Sequence, residues 1–255
     1  MFGAIIGDIV GSIYEFDNIK TKDFELFSEG CKFTDDTVLT CAVCYAVREF
    51  KANSTVNVIG QMQNRMIEYA KLYPDAGYGA MFTEWFNNPN PRPYNSYGNG
   101  SAMRVSACGM LAESMDEATN LATYSAEVTH NHPDGVKGAV AVAQAIYMAR
   151  MGETKQQIKD HLGNYYNLNF TLDEIRPKYK FDDSCEGSVP QAIVAFLEAE
   201  DFEDCIRNAV SIGGDSDTIA AISGSIAEPF FGIPARLAAR VYGYLTPELR
   251  TALGI

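Results

Sequence analysis

Apolar residues recur at three- and four-residue steps along most of the chain. The segments DDTVLTCAVCYAVREF, STVNVIGQMQNRMIEYAKLY, MDEATNLATYSAEV, GVKGAVAVAQAIYMARMG and SVPQAIVAFLEAE all carry this period, each bounded by Gly, Pro, Asn or Asp. That pattern predicts helices with one buried stripe. Alternating β-branched runs are nearly absent, and the two short strand-like stretches, 170–172 and 179–181, lie in a polar interval. The expected fold is all-α, a single compact domain of about a dozen helices over residues 1–255. Two intervals read as loops: 87–100, where three prolines and two glycines forbid regular structure, and 164–188. Gly3, Gly7 and Gly11 stand four apart in the first apolar segment. On a helix they form one bare stripe, against which another backbone can pack closely.

Composition narrows the function classes. At 255 residues, 47% hydrophobic and 21% charged, the chain encloses a substantial core and is not disordered. No apolar run approaches the roughly 20 residues that span a bilayer. A net charge of −13 has the wrong sign for gripping phosphate backbones, so non-specific nucleic-acid binding is not expected. The N-terminal segment is apolar but has no basic leader and carries Asp8 in its middle, so it does not read as a signal peptide. A cytoplasmic monomer is the expectation. The six cysteines lack the density of a disulfide scaffold. Cys41 and Cys44 form a C-x-x-C, but within a helical apolar run without the helix-start position that activates a redox thiol; they read as core residues.

The densest chemical signal is a pair of acidic clusters, each where a helix should begin. The first is Phe33-Thr34-Asp35-Asp36-Thr37 and the second Gly213-Gly214-Asp215-Ser216-Asp217-Thr218. Each supplies two carboxylates and a threonine hydroxyl, the oxygen-only donors that Mg²⁺, Mn²⁺ or Ca²⁺ prefer, whereas zinc favours His and Cys. Either cluster alone also reads as an N-cap, Thr34 or Asp215, with an acidic first turn favoured by the helix dipole. The matched pair points to a metal centre, because four converging carboxylates repel unless cations neutralise them. DSDT differs from the nucleophile loop of haloacid dehalogenase phosphatases: its threonine comes one place early and no apolar strand precedes it.

Asn95-Ser96-Tyr97-Gly98-Asn99-Gly100-Ser101-Ala102-Met103-Arg104 is a Gly-rich loop leading into a helix, a geometry that aims backbone N–H groups at an anion. Glu15 is expected at the end of the first helix, as an exposed acid after an apolar run.

Taken in order, these strings resemble the ADP-ribosylglycohydrolase family, which includes the dinitrogenase-reductase-activating glycohydrolases and the eukaryotic ADP-ribosyl-acceptor hydrolases. The resemblance spans residues 3 to about 234. It rests on the GDxxGSxYE start, the TDDT cluster, SYGNGSAMR, Thr129-His130-Asn131-His132-Pro133, Cys185-Glu186-Gly187-Ser188-Val189-Pro190 and the terminal GGDSDTIA. It implies an all-α fold with a binuclear Mg²⁺ or Mn²⁺ site in a central cleft. By the same resemblance Thr34, Asp35, Asp36, Asp215, Asp217 and Thr218 are the metal ligands. Ser96, Gly98, Asn99, Gly100, Ser101 and Met103 contact ADP-ribose, Tyr97 packs over it, and His130 lines its ribose side. Glu15 matches a glutamate on a mobile loop beside the metals, distinct from the ligands.

The implied reaction is hydrolysis of the bond between ADP-ribose and its acceptor, an ADP-ribosylated protein or other ADP-ribose conjugate. Its transition state is oxocarbenium-like, which carboxylates and metal-held oxygens favour. Glu15, Asp35 or Asp217 is the carboxylate expected to steer the proton. Serine, arginine and poly(ADP-ribose) are all acceptors within the family, and this chain is short for it. Two other readings use the same residues: a catalytically silent ADP-ribose-binding module and a metal-dependent ADP-ribose pyrophosphohydrolase.

Overall fold

The computed structural model describes residues 1–255 and contains fourteen α-helices with no β-strand. They are α1 (Phe2–Gly11), α2 (Asp35–Ala52), α3 (Val58–Leu72), α4 (Ala80–Asn87), α5 (Ser106–Leu111), α6 (Met115–Glu127), α7 (Pro133–Arg150), α8 (Lys155–Leu162), α9 (Leu172–Ile175), α10 (Cys185–Glu198), α11 (Phe202–Ser211), α12 (Ser216–Phe231), α13 (Ala235–Tyr242) and α14 (Pro247–Leu253). Their starts follow local rules: Ser114 caps α6 through the Glu117 N–H, and Thr154 and Thr171 form capping boxes with Gln157 and Glu174.

The glycine stripe of α1 finds its partner in α12. A Cβ on Gly3 would lie 2.1 Å from the Gly224 carbonyl oxygen, one on Gly7 2.1 Å from that of Ala220, and one on Gly11 2.5 Å from the Asp217 Cα. The pairing 3 with 224, 7 with 220 and 11 with 217 makes the two helices antiparallel. Glycine is required along this face because the helices meet backbone to backbone. The consequence for function is positional: the C-terminal end of α1 is locked against the start of α12, where the second acidic cluster sits.

One continuous core joins the helices, from Ile5 on α1 to Leu253 on α14, so the fold is a single compact domain. Helix α7, rich in alanine, is buried along most of its length. Cys41 and Cys44 lie fully buried in α2, and burial pushes the Cys44 thiol up to about 11, so this C-x-x-C is inert packing.

In line with the all-α expectation neither strand-like stretch is a strand: residues 170–172 lead into α9, with Thr171 as its cap, 179–181 has no regular structure, and the only β pairing is an isolated bridge between Gly98 and Ser184. Two loop expectations differ from the structure. The expected loop 164–188 ends early, because α10 already begins at Cys185. The Gly-rich loop opens into a single 3-10 turn, Asn99–Ser101, and α5 follows only at Ser106. No helix is long and apolar enough to cross a membrane.

Candidate active site

Three helix ends meet at one cleft. Helix α2 starts with Thr34 as its N-cap, the hydroxyl accepting from the Asp36 N–H, so the capping role foreseen for Thr34 holds within the acidic cluster. Asp215 occupies the corresponding position on α12, but its side chain makes no cap hydrogen bond. Its Oδ2 instead accepts from Asn99 Nδ2 at 2.6 Å, which ties the second acidic cluster to the Gly-rich loop.

The organiser of the first cluster is a residue the sequence patterns passed over. Asp8 is fully buried in α1. Its Oδ2 accepts from the backbone N–H groups of Thr34 at 2.9 Å and Thr37 at 3.0 Å, and from the Thr37 hydroxyl, while its Oδ1 accepts from Thr34 Oγ1 at 2.7 Å. The carboxylate thus sits at the positive end of α2, holding the turn that carries Asp35 and Asp36. The signal was in the sequence: an acid inside an otherwise apolar helix must be matched by buried donors.

Glu15 lies beyond the end of α1, half-buried in the following turn rather than on the helix. Its carboxylate gathers with those of Asp215 and Asp217, one oxygen of each within 4.8 Å of the others. The expectation set Glu15 apart from the metal ligands; the structure places its carboxylate beside those of Asp215 and Asp217, two of the expected ligands. Asn18 fixes this turn: its Nδ2 donates to the Glu15 carbonyl at 2.9 Å and its Oδ1 accepts from the Gly214 N–H at 2.7 Å. An exposed asparagine in a loop carries no periodic signal, so sequence reasoning had no means of finding it.

The carboxylates strongly perturb one another. Burial, then the charges of Asp8, Asp35 and Asp215, hold Asp36 well above the usual carboxylate range, and burial with Asp215 and Asp36 does the same to Asp217. Asp35 is pushed up to about 8 by burial and then by Asp8 and Asp215; Glu15 is pushed up to about 7 by burial and then by Asp215 and Asp8. Thr218 Oγ1 donates to Asp36 Oδ2 at 3.2 Å, but Asp36 Oδ1 is buried without any partner. An orphaned carboxylate oxygen among further carboxylates fits a divalent cation, which supplies the missing charge through oxygen ligands.

The cleft has a volume of about 440 Å³. Glu15, Asp35, Asp36, Asp215, Asp217 and Thr218 line it, as do Ser96, Gly98, Asn99, Gly100, Met103 and His130. Arg104, wholly buried, also contributes to the wall, and its guanidinium forms no ion pair with any carboxylate. Phe16, 85% exposed, stacks on Phe181 with ring centroids 6.1 Å apart, and both belong to the lining.

Four expected ADP-ribose contacts and one expected metal ligand lie differently. Tyr97 is 58% exposed, outside the lining, with its ring edge on His132. Ser101 Oγ is committed to the Gly135 carbonyl at 2.7 Å, a structural bond. The Gly98 N–H donates to Ser96 Oγ at 3.1 Å and the Asn99 N–H to the Asp183 carbonyl at 2.7 Å, so these two loop donors are already engaged. Thr34 stands behind the lining, its Oγ1 3.5 Å from Asp217 Oδ2.

Comparison with known proteins agrees with this architecture. Residues 1–252 match the family described as ADP-ribosylglycohydrolase. The human protein ADP-ribosylhydrolase ARH3 is 26% identical over 308 positions, covering 91% of this chain and 84% of its own. ADP-ribosylarginine hydrolase Tri1 of Pseudomonas putida strain GB-1 is 24% identical over 271 positions, covering 91% of this chain and 70% of its own. A solved structure titled "ADP-ribosylglycohydrolase-related protein complex" superposes with a TM-score of 0.71 over 99% of this chain and 94% of its own; at 21% identity this is a likeness of fold. With a family match over nearly its whole length and this helical scaffold, the chain belongs to the ADP-ribosylglycohydrolase family and is a hydrolase of that class.

Proposed function

We propose that this hydrolase cleaves the glycosidic bond between ADP-ribose and an acceptor, with Mg²⁺ or Mn²⁺ ions as cofactors. The observation that carries the reading is that one cleft is lined both by carboxylates from three helix ends and by the Gly-rich loop, His130 and the buried Arg104 cation. A substrate that joins an oxocarbenium-forming sugar to a diphosphate matches that combination.

Asp35, Asp36, Asp215, Asp217 and Thr218 of the lining, with Thr34 behind it, would hold two ions through their oxygens, and Glu15 stands beside Asp215 and Asp217. Divalent ions held there would supply Lewis acidity toward the sugar and the water. The chain itself contributes negative charge around the sugar as positive charge develops on it. Glu15, half-buried at the cleft in a turn tethered by Asn18, is the carboxylate that moves the proton. Gly100, whose Cα faces the imidazole of His130, leaves room for the phosphates and ribose.

Product analysis on arginine-linked, serine-linked and polymeric ADP-ribose, with Mg²⁺, Mn²⁺ or EDTA, tests the reading. Free ADP-ribose, lost with EDTA, is the expected product, and the preferred substrate identifies the acceptor. AMP with ribose phosphate would instead make the protein a pyrophosphohydrolase, and binding of ADP-ribose without turnover of any substrate would make it a silent module.

A further inference from the structure

Arg104 and His130 of the cleft lining are joined through Thr129 in a chain of three side chains whose proton positions follow from counting donors and acceptors. Arg104 Nη2 donates to the Ser125 carbonyl at 2.6 Å and to Thr129 Oγ1 at 2.8 Å. Thr129 Oγ1 in turn lies 2.7 Å from His130 Nδ1. Thr129 is fully buried. A guanidinium has only donors, so it occupies a lone pair of the threonine oxygen and leaves the hydroxyl proton to be directed elsewhere. If His130 also donated to that oxygen, the buried hydroxyl proton would lose its acceptor at 2.7 Å and be left only the Tyr94 hydroxyl, with which it makes no well-formed hydrogen bond. With Thr129 donating to Nδ1 both the hydroxyl and that ring nitrogen are satisfied, and the imidazole proton resides on Nε2.

We infer that Arg104 is a positioning residue which, through Thr129, fixes His130 as a neutral imidazole with its Nε2–H presented to the ligand beside Gly98 and Gly100. The Nε2 atom faces these two glycines: a Cβ built on Gly100 would lie 3.3 Å from it and one on Gly98 3.6 Å. A donor there complements a phosphate oxygen, whereas the other tautomer would present a lone pair and repel it. Burial, then the Arg104 charge, hold His130 well below the ordinary histidine range, in agreement with a neutral ring. The relay also gives a use to a costly feature, a wholly buried arginine with no carboxylate partner and with Nη1 unbonded. Only the identity of the ligand rests on the function proposed above; the tautomer does not.

Nitrogen-15 correlation spectra of the full-length protein report the tautomer directly, and the chain has only three histidines to assign. The parent should show His130 neutral and protonated on Nε2 from pH 6 to 8. Thr129→Val should shift it toward the Nδ1–H form, and Thr129→Ser, which restores the hydroxyl, should return it. Arg104→Met should also give a mixed population by freeing the threonine lone pair; if that variant does not fold, the Thr129 pair still decides. ADP-ribose affinity by calorimetry should fall about five- to ten-fold in Thr129→Val and recover in Thr129→Ser. An Nδ1–H ring or an imidazolium in the parent at neutral pH overturns the inference, as does an unchanged tautomer in Thr129→Val or in folded Arg104→Met. Failure of the parent to bind ADP-ribose would count against the proposed substrate, while the spectra would still decide the relay.

Discussion

Thr34 donates its hydroxyl proton to Asp8 across 2.7 Å, and this one bond fixes the direction in which the threonine oxygen can act as a ligand. With its proton engaged by Asp8, its lone pairs remain for the Asp36 N–H and for a cation. Asp8→Asn would place an amide donor against donors already aimed at it. It should lower stability by about 1–3 kcal/mol and weaken Mn²⁺ binding although Asp8 is not itself in the cleft lining. Thermal melts and Mn²⁺ titration of the folded variant check this; unchanged ion affinity would reduce Asp8 to a packing role.

Asp215→Asn and Asp217→Asn should each abolish turnover and weaken divalent-ion binding, because a neutral amide cannot balance the ions. Without ions these variants should melt no lower than the parent, since each removes a charge from a crowded carboxylate group. Full activity of both in EDTA would refute a metal-dependent mechanism.

Apo stability should depend on pH in a sense opposite to that of a salt-bridged carboxylate. Asp35 is raised from 3.8 to about 8 and Glu15 from 4.5 to about 7 in the folded chain, so the folded state binds more protons than the unfolded one across that window. Stability is greatest below the unfolded values and falls as pH rises toward 8. Saturating Mn²⁺ should reverse the trend, because ions bind the deprotonated groups. Melting temperatures measured from pH 5 to 8 in EDTA and in Mn²⁺ should therefore diverge with pH; parallel curves would contradict the carboxylate crowding.

Gly7→Ala should destabilise the fold by at least about 1–3 kcal/mol, since its Cβ would meet the Ala220 carbonyl oxygen at 2.1 Å and neither backbone can yield cheaply. Gly79→Ala, with nothing within 4 Å of its Cβ, should stay within about 0.5 kcal/mol of the parent. Denaturant unfolding of the pair compares a backbone contact with open space on the same scale.

Gly100→Val should reduce ADP-ribose affinity at least ten-fold, because even its Cβ would press on the His130 imidazole at 3.3 Å. Ser101→Ala should instead cost about 1 kcal/mol of stability and little affinity, its hydroxyl being bonded to the Gly135 carbonyl. Calorimetry alongside thermal melts separates the two effects, and equal binding by Gly100→Val would remove this loop from the ligand site.

The sequence by itself determined the helical class, because the 3.6-residue period needs only local register to be visible. It also marked both acidic helix starts and the glycine stripe, since helix signals and bare faces are written in neighbouring residues. Where the stripe docks was not legible: Gly7 meeting Ala220 and Gly11 meeting Asp217 are contacts between segments more than 200 residues apart. That long-range choice brings Glu15 to Asp215 and Asp217, and it turns Asp8 from an anomaly in an apolar helix into the acceptor that organises α2. The short helix α9 and the single turn at Asn99–Ser101 escaped for a related reason: they are too brief to show a period, and capping or a partner segment defines them. The tautomer of His130 lies furthest from the sequence, because it depends on where Arg104 directs one hydrogen bond across a buried threonine. Proton positions follow from three-dimensional donor and acceptor arithmetic, which only the packed structure supplies.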